Sequence, residues 1–408
     1  MARRSFRRRF LRDCAAGAAG IAAAAFVERV RAAPPNETIQ VGCIGTGGQC
    51  RRLMQRLAKI DGVRLAAVCD VWDEHLRLAR EIAGPQAATT KEYREVLDRR
   101  DIDAVVIGTP DHWHAPMTIA ACQAGKDVYV EKPLTHDLAE GPTVIETVKK
   151  SQRIVQVGTQ QRSMPQYLKG GELIRGGHLG KVHKVHLTWN RNYHRWKAPQ
   201  QKIDPGSVDW RRFVGPARQQ PFDPFRFRNW RWFWDFGGGM LTDLMVHWID
   251  VAYWYFDLDL PETAAAVGDH FMFRNVWETP DTMHAVLRYP KQQLLVHFEG
   301  TFVNARQDAM VEFLGGDATL YLDRGRYEVI PERGSKTPAS ELVLGKGEKG
   351  QSYYQEVDGP KLHLQNWVDC LRSRATPNAP VEAAVRSAAA AHWANKAYRA
   401  GAVVRPEK

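Results

Sequence analysis

Three ionisable residues, Asp243, His247 and Asp250, fall within one apolar stretch, GGGMLTDLMVHWIDVAYWYF, at 237–256. At helical pitch, positions i, i+4 and i+7 share a face. Leu241, Leu244, Met245, Trp248 and Ile249 surround them, so the helix is expected to be buried. Polar groups on a buried helix need partners. One solution is a salt-linked core stripe, with Thr242 or Asp243 capping the helix. The other is a base with an acidic neighbour one turn away. Three glycines ahead of the helix favour the second, because they let a ligand approach the backbone.

A base needs a reaction, and the first half of the chain supplies candidates. Thr109-Pro110-Asp111-His112-Trp113-His114 and Glu131-Lys132-Pro133 each follow a short apolar run. In a parallel sheet, ligands bind at such strand ends. A lysine there can polarise a reacting hydroxyl. His112 and His114 flank a tryptophan with no third ligand nearby, so cofactor-adjacent packing or helix capping is expected rather than a metal site.

The elements that must position these residues are legible upstream. The run TIQVGCIGT at 38–46 passes into Gly45, Gly47, Gly48 and Gln49, then a helix-like segment at 51–60. A second apolar run ends at Asp70, 22 residues past Gly48, close to the spacing of about 20 in dinucleotide-binding units. Glycines make the tight turn, the pyrophosphate meets a helix N-terminus, and the carboxylate accepts from ribose hydroxyls. No arginine follows Asp70 directly, which favours NAD over NADP. Cys50 replaces the third glycine of the fingerprint, so the helix is expected to start further from the strand. Strands at 104–109, 127–131 and 153–158 alternate with helices at 115–124 and 138–151, the pattern of a doubly wound parallel sheet.

Glycine turn, Thr109–His114 motif, Glu131-Lys132-Pro133 and Asp243-x-x-x-His247 arrive in an order that resembles the Gfo/Idh/MocA oxidoreductases, over roughly 38–400. The resemblance implies an α/β architecture: an N-terminal Rossmann domain and a C-terminal α+β domain with a large open, mostly antiparallel sheet that often builds dimers or tetramers. It implies that Lys132 bonds the nicotinamide ribose and substrate hydroxyl, that His247 is the general base, and that Asp243 orients substrate and base. Gly45, Gly47, Gly48, Gln49, Asp70, Thr109, Pro110, His112, His114, Glu131 and Lys132 are expected around the cofactor. Gln161, Arg162, Tyr193 and Trp230 are expected around a sugar or cyclitol. NAD-dependent glycosidases of the superfamily, which oxidise a sugar transiently and eliminate, often carry Tyr and Thr-His where this chain has Gly-Gly-Gly-Met-Leu-Thr-Asp. That departure lowers the glycosidase reading.

The second domain is expected to open with a strand at 181–191. A cluster of Asn190, Asn192, Tyr193, His194, Arg195 and Trp196 follows. The segment 204–231 is long and rich in Pro, Arg and aromatics. Single-stranded nucleic acid can bind such interleaving, but a folded lid held by Arg–aromatic stacking fits better. Strands are expected at 263–273, 282–289, 294–302, 310–314 and 319–322, a surface excursion at 331–350, and helices at 363–373 and 381–400.

With 408 residues, 44% hydrophobic and 25% charged, the composition is that of a globular chain of more than one domain. The expected divisions are a leader at 1–33, a Rossmann domain at 38–160, a substrate and oligomerisation domain at 161–360, and helices at 361–408 packing back on the first domain. The leader carries Arg7-Arg8-Arg9-Phe10-Leu11-Arg12 and an apolar run at 14–26, the pattern of a twin-arginine export signal. Periplasmic localisation and a passage through the twin-arginine translocase are therefore expected. Residues 1–32 hold eight arginines against Asp13 and Glu28, which leaves +5 of the formal +11 for the remainder. That is too modest for a nucleic-acid footprint. None of the six cysteines forms a C-x-x-C pair, so no metal is expected. No mature membrane span is expected.

Overall fold

The structure, a computed structural model, describes residues 38–193, 202–345, 348–349 and 357–406. The expected leader and His194, Arg195 and Trp196 lie outside the described residues.

The first sheet contains β1 (Ile39–Ile44), β2 (Val63–Cys69), β3 (Ala88–Thr90), β4 (Ala104–Ile107), β5 (Asp127–Val130) and β6 (Val155–Val157). All pairs are parallel, in the order β3-β2-β1-β4-β5-β6. The strand order reverses between β1 and β4, the switch point where a crevice opens. Val41 and Cys43 face one helical layer, Ile44 the other, so the sheet is buried on both sides. Edge strand β3 and the helix Asp73–Ala83 are additional to the elements expected from sequence. β3 has only three residues, too few for a visible period.

The second sheet contains β7 (Val182–Asn190), β8 (Thr263–Asp269), β9 (Thr282–Tyr289), β10 (Leu294–Thr301), β11 (Ala309–Gly315), β12 (Ala318–Leu322), β13 (Arg326–Pro331) and β14 (Ser340–Val343), ordered β14-β13-β12-β11-β7-β10-β9-β8. It is antiparallel except where β7 lies parallel to β10. Along β10, Val296 and Phe298 are buried and alternate with half-buried His297 and Glu299. β14 lies inside 331–350, so that segment is partly strand and not only a surface excursion.

The buried face carries the helix Val246–Phe256. Trp248 fixes it, donating from Nε1 to the Thr188 carbonyl at 3.0 Å between the rings of Tyr167 and Trp189. The last two helices bind the halves together. Gly359–Ser373 puts Leu364 and Trp367 into the Rossmann core beside Leu53 and Tyr129. Val381–Ala400 starts in that domain with Val381 and Ala384 and ends in the second domain's core with Ala390 and Ala394. The final helix therefore serves both domains, not the first alone. No helix among the described residues is long and apolar enough to cross a membrane.

Candidate active site

The crevice at the β1/β4 switch point is a cavity of about 1090 Å³, lined by Gly45, Gly47, Gly48, Gln49, Asp70, Thr109 and Pro110 among others. It is as large as a drug-sized ligand site becomes, about 1,000 Å³. Gly45 has φ +72° and lies so near Thr109 that a Cβ would come within 2.6 Å of its amide nitrogen. At Gly47 and Gly48, by contrast, a Cβ would meet nothing nearer than 3.7 and 3.9 Å. Their bare backbone faces the cavity, as a pyrophosphate requires. The helix Gly48–Leu57 starts directly on that turn.

Cys50 does not push this helix away, contrary to the sequence expectation. The close approach is made from the other side: a Cβ on Gly108 would come within 2.7 Å of the Cys50 Cβ. The missing glycine of the fingerprint has a substitute across the contact.

Asp70, the residue after β2, is buried. Its carboxylate accepts from the Trp72 amide at 3.0 Å and lies 3.2 Å from His75 Nδ1. The Thr109 hydroxyl is buried without a partner, an orphan that a ligand in the cavity can satisfy. Open glycines, a strand-end carboxylate and an orphan hydroxyl together fit a dinucleotide.

Lys132 and Asp243 meet between the two halves. Lys132 Nζ donates at 2.7 Å to both the Asp243 carbonyl and its Oδ1, and Arg231 Nε reaches the same Oδ1 at 3.3 Å. Burial pushes the Asp243 carboxyl up, but Lys132 and Arg231 outweigh it and hold the group below the usual carboxylate range. Asp243 sits in a π-helical turn, Leu241–Met245, just ahead of the helix that carries His247. Such turns recur at functional sites.

His247 departs from the expected arrangement. Asp243 is engaged with Lys132 and Arg231, so it does not orient the imidazole. Instead His247 stacks on Trp189 at 5.2 Å, and Nδ1 is buried without a hydrogen-bond partner. Burial first, then Lys132 and Arg324, hold it well below the ordinary histidine value. The imidazole is therefore held neutral. Asp250, the third residue of the stripe, belongs to the core: it is fully buried and takes a two-pronged bond from Arg162 at 2.7 and 3.0 Å. The stripe is thus half catalytic candidate and half salt link.

Other expected site residues separate in the same way. His112 lies off the cavity, Nε2 bonded to the Phe213 carbonyl at 2.9 Å, and burial depresses it to about 3. His114 also lies off it, with ring nitrogens 2.6 Å from the Pro133 carbonyl and 2.9 Å from that of Thr109. It ties the two motif loops together, and burial holds it at about 4. Both histidines bond backbone carbonyls around the crevice. Arg162 is engaged with Asp250 and stacks over Trp254. Glu131 is raised by burial and accepts from Gln49 Nε2 at 2.8 Å, beneath the glycine turn. Gln161 is fully buried with both amide atoms unpartnered. Tyr193 stacks on Phe302 at 5.0 Å, and its hydroxyl is raised by burial and by Asp243. Trp230 lines the cavity under the Arg231 guanidinium, 4.1 Å from its ring centre.

Two groups escaped the sequence reading. Arg231 neutralises Asp243; only its place in an arginine-rich segment hinted at it. Asp111 is buried with no hydrogen-bond donor among the described residues, and burial raises it to about 8 despite Lys132. It stands in the Thr109–His114 motif but looks there like an ordinary loop aspartate.

The comparisons agree with this geometry. The profile "Oxidoreductase family, NAD-binding Rossmann fold" matches residues 39–159, and its partner, "Oxidoreductase family, C-terminal alpha/beta domain", matches 171–405. Among curated proteins, a "Glycosyl hydrolase family 109 protein" of Shewanella pealeana is 28% identical over 231 residues, 51% of this chain and 50% of that one. An "Alpha-N-acetylgalactosaminidase" of Shewanella oneidensis is 29% identical over 189 residues, 44% of this chain and 40% of that one. The chain thus spans half or less of these relatives' length. A solved levoglucosan dehydrogenase, in complex with NADH and levoglucosan, superposes with a TM-score of 0.71 at 17% identity, covering 91% of this chain and 100% of that chain. The WlbA dehydrogenase of Bordetella pertussis, in complex with NADH and UDP-GlcNAcA, gives 0.70 at 20% identity, covering 91% and 99%. At such identities these structures share the fold. With both halves matched in order, the chain belongs to the Gfo/Idh/MocA oxidoreductase family and carries its NAD-binding Rossmann domain.

Proposed function

We propose that the protein transfers hydride between a secondary hydroxyl of a sugar, glycoside or cyclitol and a tightly held NAD. The carrying observation is Lys132 on Asp243, joined across the two domains, with the unpartnered base His247 one turn further along the helix. The bound nicotinamide would supply the hydride acceptor. Loss of hydride from a carbinol carbon requires loss of the hydroxyl proton, and neutral His247 would take it. An ammonium has three donors. Lys132 gives two to Asp243, and the third is available to the substrate oxygen, where it stabilises developing negative charge. Asp243 fixes the lysine, and Arg231 keeps Asp243 ionised. Tyr193 and Gln161 are the proposed substrate contacts.

The twin-arginine leader motivates the rest of the reading. Translocation of folded protein suits a cofactor loaded before export, and a periplasmic enzyme needs a second substrate to restore it. A homodimer or homotetramer through the open sheet is the proposed assembly.

The Shewanella relatives support a second reading, glycoside cleavage by transient oxidation and elimination. Both readings share the first hydride step and differ in net redox change. Protein purified without added cofactor is titrated with free sugars, cyclitols and aryl glycosides while the reduced-nicotinamide absorbance is followed. A band that grows with one sugar and reverses with another supports the oxidoreductase. Steady aglycone release without lasting band change supports the glycosidase. No band change with any sugar or cyclitol, together with no aglycone release, would sink both.

A further inference from the structure

The segment 204–231 runs along the dinucleotide crevice as a strap. Asp209 donates from its amide to the Val71 carbonyl at 2.8 Å, and Val208 bridges to Trp72. Trp113 Nε1 and His112 Nε2 both reach the Phe213 carbonyl at 2.9 Å. Phe213, Phe227 and Arg228 line the same cavity as Gly45–Gly48.

Most arginines of the strap have carboxylates. Arg212 pairs with Asp209 and Glu92, Arg226 with Glu278 at 2.5 Å, and Arg231 with Asp243. Arg228 has none among the described residues. Its guanidinium lies 5.3 Å from the ring centre of Trp72, two residues past Asp70. Arg51, which also lacks a carboxylate, anchors on the glycine turn by donating to the Thr46 carbonyl at 2.7 Å. Both line the cavity. Burial and then Arg51 lower the Arg228 guanidinium, so the two cations feel one another. Two like charges facing one crevice, neither ion-paired with a carboxylate, favour the entry of an anion.

We infer that Arg228 and Arg51 clamp the dinucleotide pyrophosphate from opposite walls of the crevice, so that the strap latches the cofactor in place. This rests on the dinucleotide reading of the crevice. Asp70 decides against the 2′-phosphate of NADP as the anion, because its carboxylate occupies the ribose end. A pyrophosphate would be held where the Gly48–Leu57 helix begins, on the turn to which Arg51 donates. Release would require the strap's bonds to Val71, Trp113, His112 and Glu92 to break, which makes dissociation slow.

The test measures binding rather than turnover. NADH release from the full-length protein is followed by fluorescence after a chase with NAD, and ADP, adenosine and 2′,5′-ADP serve as competing ligands. In Arg228→Met, NADH should leave faster and ADP should bind about ten- to hundredfold more weakly, the worth of one charge-assisted hydrogen bond. Adenosine affinity should not change, Arg228→Lys should restore most of the ADP affinity, and Arg51→Gln should shift ADP in the same direction. Unchanged ADP affinity in Arg228→Met overturns the clamp. So does an equal loss for ADP and adenosine, which would mean stacking on Trp72 alone, or a loss confined to 2′,5′-ADP. If the unaltered protein binds no NADH, the dinucleotide reading itself fails.

Discussion

In the proposed reaction Lys132 and His247 act on one substrate hydroxyl, but they are held by different physics. Lys132 is held by direct bonds to Asp243. His247 is held by stacking and stays neutral because burial and Lys132 oppose its charging. Lys132→Met and His247→Ala should each lower kcat about 10²- to 10⁴-fold, the range of a general acid–base group, while NAD content after purification is unchanged. Loss of cofactor in either would show a binding role instead. The acid limb of kcat/KM should lie well below pH 6.5, since a depressed base is lost only at lower pH. Lys132→Met should raise that limb by removing a charge that depresses His247; a limb that stays put would break the link. Asp111 gives a second pH signal. Its folded value of about 8 exceeds the roughly 3.9 of an unfolded aspartate. The folded chain therefore binds a proton that the unfolded chain has lost. That contribution is whole below about pH 4 and lost as pH rises towards 8. Denaturation at pH 5 and pH 8 should show a smaller stability difference in Asp111→Asn than in the parent protein; an equal difference would clear Asp111.

At the scale of elements, one helix carries a site at its start and a salt link at its centre. The π-helical turn Leu241–Met245 presents Asp243 to Lys132, and Asp250 lies in the core on Arg162. Breaking a buried pair costs about 3–5 kcal/mol, because one charge remains without a partner. Arg162→Met should destabilise by about that amount in urea titration, and Arg162→Met with Asp250→Leu should recover much of it. A substrate-binding Arg162 would instead raise KM with stability unchanged. The turn between β1 and the Gly48–Leu57 helix is equally constrained. Gly45→Ala meets both a positive φ and the Thr109 backbone, so it should lower stability and NAD retention together. A variant with full NAD content would show that the turn tolerates a side chain.

At the scale of the molecule, the site exists because two sheets are fixed to one another. The Val381–Ala400 helix contributes to both cores, and Asn395 donates to the Gly238 carbonyl at 2.8 Å, just ahead of the π-helical turn. Asn395→Ala should thus reduce turnover through misplacement of Asp243 while leaving cofactor affinity intact. A fall in NADH affinity of the same size would point to general loosening of both halves.

The sequence by itself determined the local features: the glycine turn with Asp70, the alternation of strands and helices, and the spacing of Asp243 and His247 on one helix. These follow from spacing along the chain, which fixes faces, turns and strand ends. It could not decide which polar residues satisfy one another, because partners are distant in sequence. His112, His114 and Arg162 read as site residues, yet distant carbonyls and Asp250 claim them. Asp111 read as an ordinary loop residue, and only burial makes it an acid. Gly108 standing in for the third glycine, and Arg228 brought to Arg51 by the strap, are likewise decisions of tertiary structure. They depend on which surfaces meet, and no local pattern records that.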